Sequence, residues 1–208
     1  MEYTALVVCY TALTAASLCQ ILALIKYWFN EAYRLKKPVG SNQYLSPFDA
    51  ILFLMMVSTT TMSGVNTAGY IFLPSNVTAL AVYSIIADFA LVLGQHSYIA
   101  YNLYRGYPII LQVVPSVSKA VGYSVLIAPL LFYLYIVPDV ATLLQAPWDW
   151  SSLQFYAASY MAFINLTFDF FIVSIYIVYL RRLKKIANLE DARMVIITKY
   201  GIGGCAFA

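Results

Sequence analysis

Apolar residues run along this chain in long blocks, and short turn-rich or basic clusters separate them. A helix needs about 20 apolar residues to cross about 30 Å of hydrocarbon at 1.5 Å per residue. Five blocks reach that length, near residues 4–25, 48–72, 79–103, 116–137 and 153–180, and a sixth over 194–208 falls short of it. The pattern predicts one all-α domain, 1–208: a polytopic transmembrane helix bundle of five complete spans and an incomplete sixth. The short sixth block, with its small residues Gly201, Gly203, Gly204 and Ala206, leads us to expect a fragment of a longer protein.

The breaks between blocks set the expected connections. Pro38, Gly40, Ser41, Asn42 and Pro47 make a connector after the first span. Leu73-Pro74-Ser75-Asn76 is so short that spans two and three must form an antiparallel hairpin. Gly106-Tyr107-Pro108 is expected to end the third helix, leaving 109–114 along the membrane interface. Pro129 should kink the fourth span. Pro138, Asp139, Pro147, Trp148, Asp149 and Trp150 read as an outer interfacial loop, since indole rings favour the headgroup level. The stretch after the fifth span, through IANLEDAR, continues that helix into the cytoplasm.

Composition and charge add orientation. The chain is 62% hydrophobic and 10% charged, against about 25% charged in a soluble domain. All 12 lysines and arginines fall in or beside alternate connections once the N-terminus is placed outside, and the outer segments carry only Glu2, Asp139 and Asp149. Glu2 before the first span and basic residues after it argue for a retained helix rather than a cleaved signal peptide. The expectation is an integral protein of the plasma membrane or an endomembrane, N-terminus extracellular or lumenal. The net charge of +3 is spent beside apolar spans, so its partner is the lipid bilayer and not nucleic acid. Cys9, Cys19 and Cys205 fall within apolar blocks and read as packing residues.

Polar groups inside the spans are the candidate chemistry, because an ionisable side chain at bilayer depth costs about 2.5–3.5 kcal/mol on insertion scales. Ser84, Asp88, Gln95 and Asn102 share one face of the third helix, and Asn165 and Asp169 share one face of the fifth span. One reading is a ligand or ion cavity between spans two, three and five, lined by Asn66, Asp88, Gln95, His96 and Asp169, with Asp88 recognising a cation. The other is interhelical hydrogen bonding among the same groups. The hydroxyl run Ser58, Thr59, Thr60, Thr61 and Ser63 reads as packing, its side chains bonding back to their own helix.

Nothing points to catalysis: there is one histidine, no HExxH, no GxSxG and no phosphate-cradling glycine loop. We therefore expect no enzyme, no metal site and no cofactor. In plan, the outward N-terminus, the short loops, Asn102-Leu103-Tyr104-Arg105 ending the third helix, and the basic cluster after the fifth resemble the seven-helix architecture of G-protein-coupled receptors. That resemblance implies a ligand cavity at Asp88. It further implies a cytoplasmic face of Arg105, Arg181, Arg182, Lys184 and Lys185 that meets a signalling protein. The alternative is an ion, proton or small-solute transporter or channel using Asp88 and Asp169.

Overall fold

A computed structural model of the chain describes residues 2–34, 47–72, 77–145 and 150–187. Six α-helices and one 3-10 segment account for nearly all of them: α1 Glu2–Arg34, α2 Pro47–Phe72, α3 Val77–Val113, α4 Ser118–Ile127, the 3-10 segment Ala128–Ile136, α5 Val137–Leu143 and α6 Ser151–Ala187. No strand occurs among the described residues. Five stretches are long and apolar enough to cross a membrane: Leu6–Asn30, Asp49–Ile71, Thr78–Val113, Ser118–Leu143 and Ser152–Arg182. Large apolar side chains such as Leu22, Ile127, Phe155, Phe163 and Phe170 point outward, as expected where lipid replaces water. Residues 35–46 of the expected connector after the first span, Pro74, Pro147 to Asp149, and the incomplete sixth block lie outside the described residues, while Pro47 opens α2.

The helices form a row that thickens at one end. α1 packs on α2 and α2 on α3, while α3 also meets α4, the 3-10 segment, α5 and α6. Close backbone approach holds the row together. A Cβ on Gly64 would lie 3.7 Å from Thr14, and one on Gly94 would lie 3.4 Å from Ser58. The hydroxyl run on α2 bonds back to its own helix, with Thr59 donating to the Met55 carbonyl at 3.0 Å and Ser63 to that of Thr59 at 2.8 Å. The apolar core sits at the thick end, where Val92, Ile99 and Ile110 of α3, Phe132 of the 3-10 segment and Phe168 and Ile172 of α6 are buried together.

Two expectations about α3 and the fourth span are corrected. The third helix does not stop at Gly106-Tyr107-Pro108 but runs unbroken to Val113, so 109–113 belongs to the helix rather than to an interfacial segment. Packing explains this. Gly106 is buried so close to α6 that a Cβ would sit 3.1 Å from Ile172 Cδ1, and Arg182 donates to the Gln112 carbonyl at 3.2 Å. Contacts with α6 therefore offset the helical bond lost at Pro108. The chain turns instead around Pro115.

The fourth span extends to Leu143 and not to 137, and Pro138 and Asp139 lie inside it rather than in an outer loop. Pro129 produces a change of helix type: it stands in the first turn of the 3-10 segment, and Pro138 stands in the first turn of α5. At those positions a missing N–H removes little, so each proline opens a new segment without ending the span. Gln145, with φ 52°, closes α5 in the left-handed region.

Candidate functional site

The side chains singled out on α3 meet partners at successive levels along its face toward the fourth span and α6. Asp88, about 16 Å along α3 from Val77, lies within side-chain hydrogen-bonding reach of Asp139 on α5. Asp88 Oδ2 is buried and has no hydrogen-bond partner among the described residues. Tyr135 of the 3-10 segment stands close to both carboxylates, and its hydroxyl is within hydrogen-bonding reach of Gln154 on α6. Two carboxylates held this close repel unless a proton or another cation lies between them.

One level on, Asn165 Nδ2 of α6 donates to Gln95 Oε1 at 2.6 Å, and Asn165 Oδ1 is buried with no partner among the described residues. Beyond that, the Tyr98 hydroxyl donates to Asp169 Oδ1 at 2.9 Å. His96 sits edge-on to Tyr133 with ring centroids 6.3 Å apart, and Phe89 approaches the same ring at 6.0 Å. Tyr160 ties α6 to the start of the 3-10 segment by donating to the Ala128 carbonyl at 3.4 Å.

Asp88, Gln95 and Asp169 thus lie along one polar seam, while His96 packs against the Tyr133 ring. Asn66 stands on α2, which packs on α1 and α3. Asp139, Tyr135 and Gln154 belong with the seam, and sequence reasoning missed all three. Pro138 made Asp139 look like loop, and Tyr135 and Gln154 carry no signal of their own. Arg105, Arg181 and Arg182 are exposed near the far ends of α3 and α6, and Lys184 and Lys185 continue α6 from there. Among the described residues no group of three or more His, Cys, Asp or Glu is placed to hold a metal ion.

The chain matches no family model, no curated protein and no solved structure. Its class rests on the fold itself: five long apolar helices and an outward-facing apolar surface make it an all-α multi-pass membrane protein.

Proposed function

We propose that this chain is a receptor-like membrane protein that takes a small cationic ligand at Asp88 and Asp139 and passes the change along the α3–α6 seam to a basic cytoplasmic face. The observation that carries this reading is the carboxylate pair inside an apolar bundle, with one Asp88 oxygen unpartnered. Such a pair favours positive charge, and an incoming ammonium group or metal ion relieves its repulsion. The asymmetry of basic residues supports an N-terminus on the extracellular or lumenal side. In that orientation Asp88 lies in the outer half, Asp169 in the inner half, and Arg105, Arg181, Arg182, Lys184 and Lys185 at the cytoplasmic end. The bonds Gln95–Asn165 and Tyr98–Asp169 join α3 to α6 between these two ends, so occupancy at the outer pair can bias their relative position.

The test is thermal stability of the purified chain in lipid nanodiscs against sodium, calcium and a panel of small organic amines. A ligand at 100 times its Kd should stabilise by about 2.7 kcal/mol, and the gain should vanish in Asp88→Asn and in Asp139→Asn. If no cation stabilises the unaltered chain, the reading fails.

A second reading follows from the continuation of the seam to Asp169: a proton or ion path. Here liposomes carrying the chain and an entrapped pH dye would show flux abolished by Asp88→Asn and by Asp169→Asn. Tight liposomes at all ionic conditions would dismiss that reading and leave the first untouched.

A further inference from the structure

The inner part of the α3–α6 seam holds an acceptor that no described side chain satisfies. Asn165 donates its amide N–H to Gln95 Oε1, while its own oxygen is enclosed in the bundle without a partner among the described residues. Turning both amides over reverses the bond and still strands one polar atom of Asn165. Buried polar groups pair with protein or with water. Because the oxygen is enclosed, neither lipid nor another chain reaches it, so its partner is small and lies inside. Gln95 Nε2 is a donor with no partner among the described residues, and the Tyr98 hydroxyl and Asp169 carboxylate stand about one helical turn on. A guest offered a donor as well as acceptors is water, whereas a hard cation takes oxygens alone.

Toward Asp88 the seam turns apolar. Val92 stands between Asp88 and Gln95 on the same face of α3. The links Gln95–Asn165 and Tyr98–Asp169 set α3 and α6 parallel, and their register brings Met161 to within about 3 Å of the level of Val92 along the axis. Val92 is 0% exposed and Met161 is buried with it in one apolar cluster that includes Phe132.

We propose that water occupies the seam at Asn165, Gln95, Tyr98 and Asp169, and that Val92 and Met161 form a dry gate between this inner compartment and the outer pair Asp88 and Asp139. Hydrophobic constrictions of this kind gate by excluding water. The gate is shut in this structure. For its purpose it rests on the ion-path reading, since it is the barrier that a proton or ion must pass between the outer acids and Asp169.

Hydroxyl-radical labelling of the full chain in lipid nanodiscs, read by mass spectrometry, reports water beside a side chain whether or not anything flows. Phe163 and Phe170 bracket the level of Asp169 on α6 and are 65% and 67% exposed, but toward lipid, whereas Tyr98 is half-buried against the seam. Tyr98 should nevertheless be labelled about tenfold faster than either phenylalanine, and Asn165→Leu should remove most of that excess. Met161 should stay protected in the unaltered chain. Val92→Thr, which keeps the shape and adds a hydroxyl, should raise Met161 labelling about fivefold, and Val92→Ile, which stays apolar, should not. Labelling of Tyr98 no faster than that of the phenylalanines would overturn the wet compartment, and Met161 labelling unchanged by Val92→Thr would overturn the gate. Both labelling results as expected in a chain whose liposomes stay tight would uphold the water and the gate while dismissing the ion-path reading, so the two fail separately.

Discussion

Tyr98 on α3 and Asp169 on α6 are joined by a 2.9 Å hydrogen bond, phenol donating to carboxylate, which with the Asn165–Gln95 bond helps hold those helices in register. Bonds of this kind within membranes average about 0.6 kcal/mol and reach about 1.7 kcal/mol. A double-mutant cycle of Tyr98→Phe with Asp169→Asn, followed by unfolding in mixed micelles, should give a coupling of about 1 kcal/mol. A coupling indistinguishable from zero would show that the bond does not form in lipid.

Gly106 is small because α6 crosses there. A Cβ would meet Ile172 Cδ1 at 3.1 Å, and Ile172 is itself buried. Gly106→Leu should destabilise the chain by about 1–3 kcal/mol through overpacking. Adding Ile172→Ala to that variant should recover part of the loss. No recovery would mean that the strain lies elsewhere.

Phe132 and Phe155 make a paired test of where the core is. Phe132 is 0% exposed and Phe155 is 69% exposed. Phe132→Ala should cost about 3–5 kcal/mol in detergent unfolding, as for a buried aromatic ring, while Phe155→Ala should stay within about 0.5 kcal/mol. Similar effects at both sites would contradict the packing described here.

The proposed orientation can be read by labelling. In a cysteine-free background, Ser152→Cys should react with a membrane-impermeant maleimide on intact cells, and Ser116→Cys only after permeabilisation. The reverse pattern would invert the protein and place Asp88 nearer the cytoplasm.

These tests bear on features of unequal visibility in the sequence. The helical spans were legible because hydrocarbon thickness sets a length that each apolar block either meets or does not. The face shared by Asp88 and Gln95 was legible from their spacing alone, and both side chains do meet neighbouring helices. Their partners were not. Asp139 follows a proline, and a proline in isolation signals a turn; only its place in the first turn of α5 makes it helical. Pro108 misled in the same way, because the contacts at Gly106 and Arg182 that keep α3 intact come from a helix far along the chain. Asn165 shares a face with Asp169, but its donation to Gln95 could not be read from that spacing.

The 3-10 segment Ala128–Ile136 has a consequence for the carboxylate pair. Each of its residues turns about 120° rather than the 100° of an α-helix, and over the segment the difference amounts to about half a revolution. The segment is also longer by about 4–5 Å than the same residues wound as α-helix. Asp139 therefore owes its angular phase to this stretch. Rewound as α-helix, the span would carry the carboxylate to its opposite side, away from Asp88, and draw α5 toward α4. Winding of the fourth span and meeting of the two acids are one geometric variable.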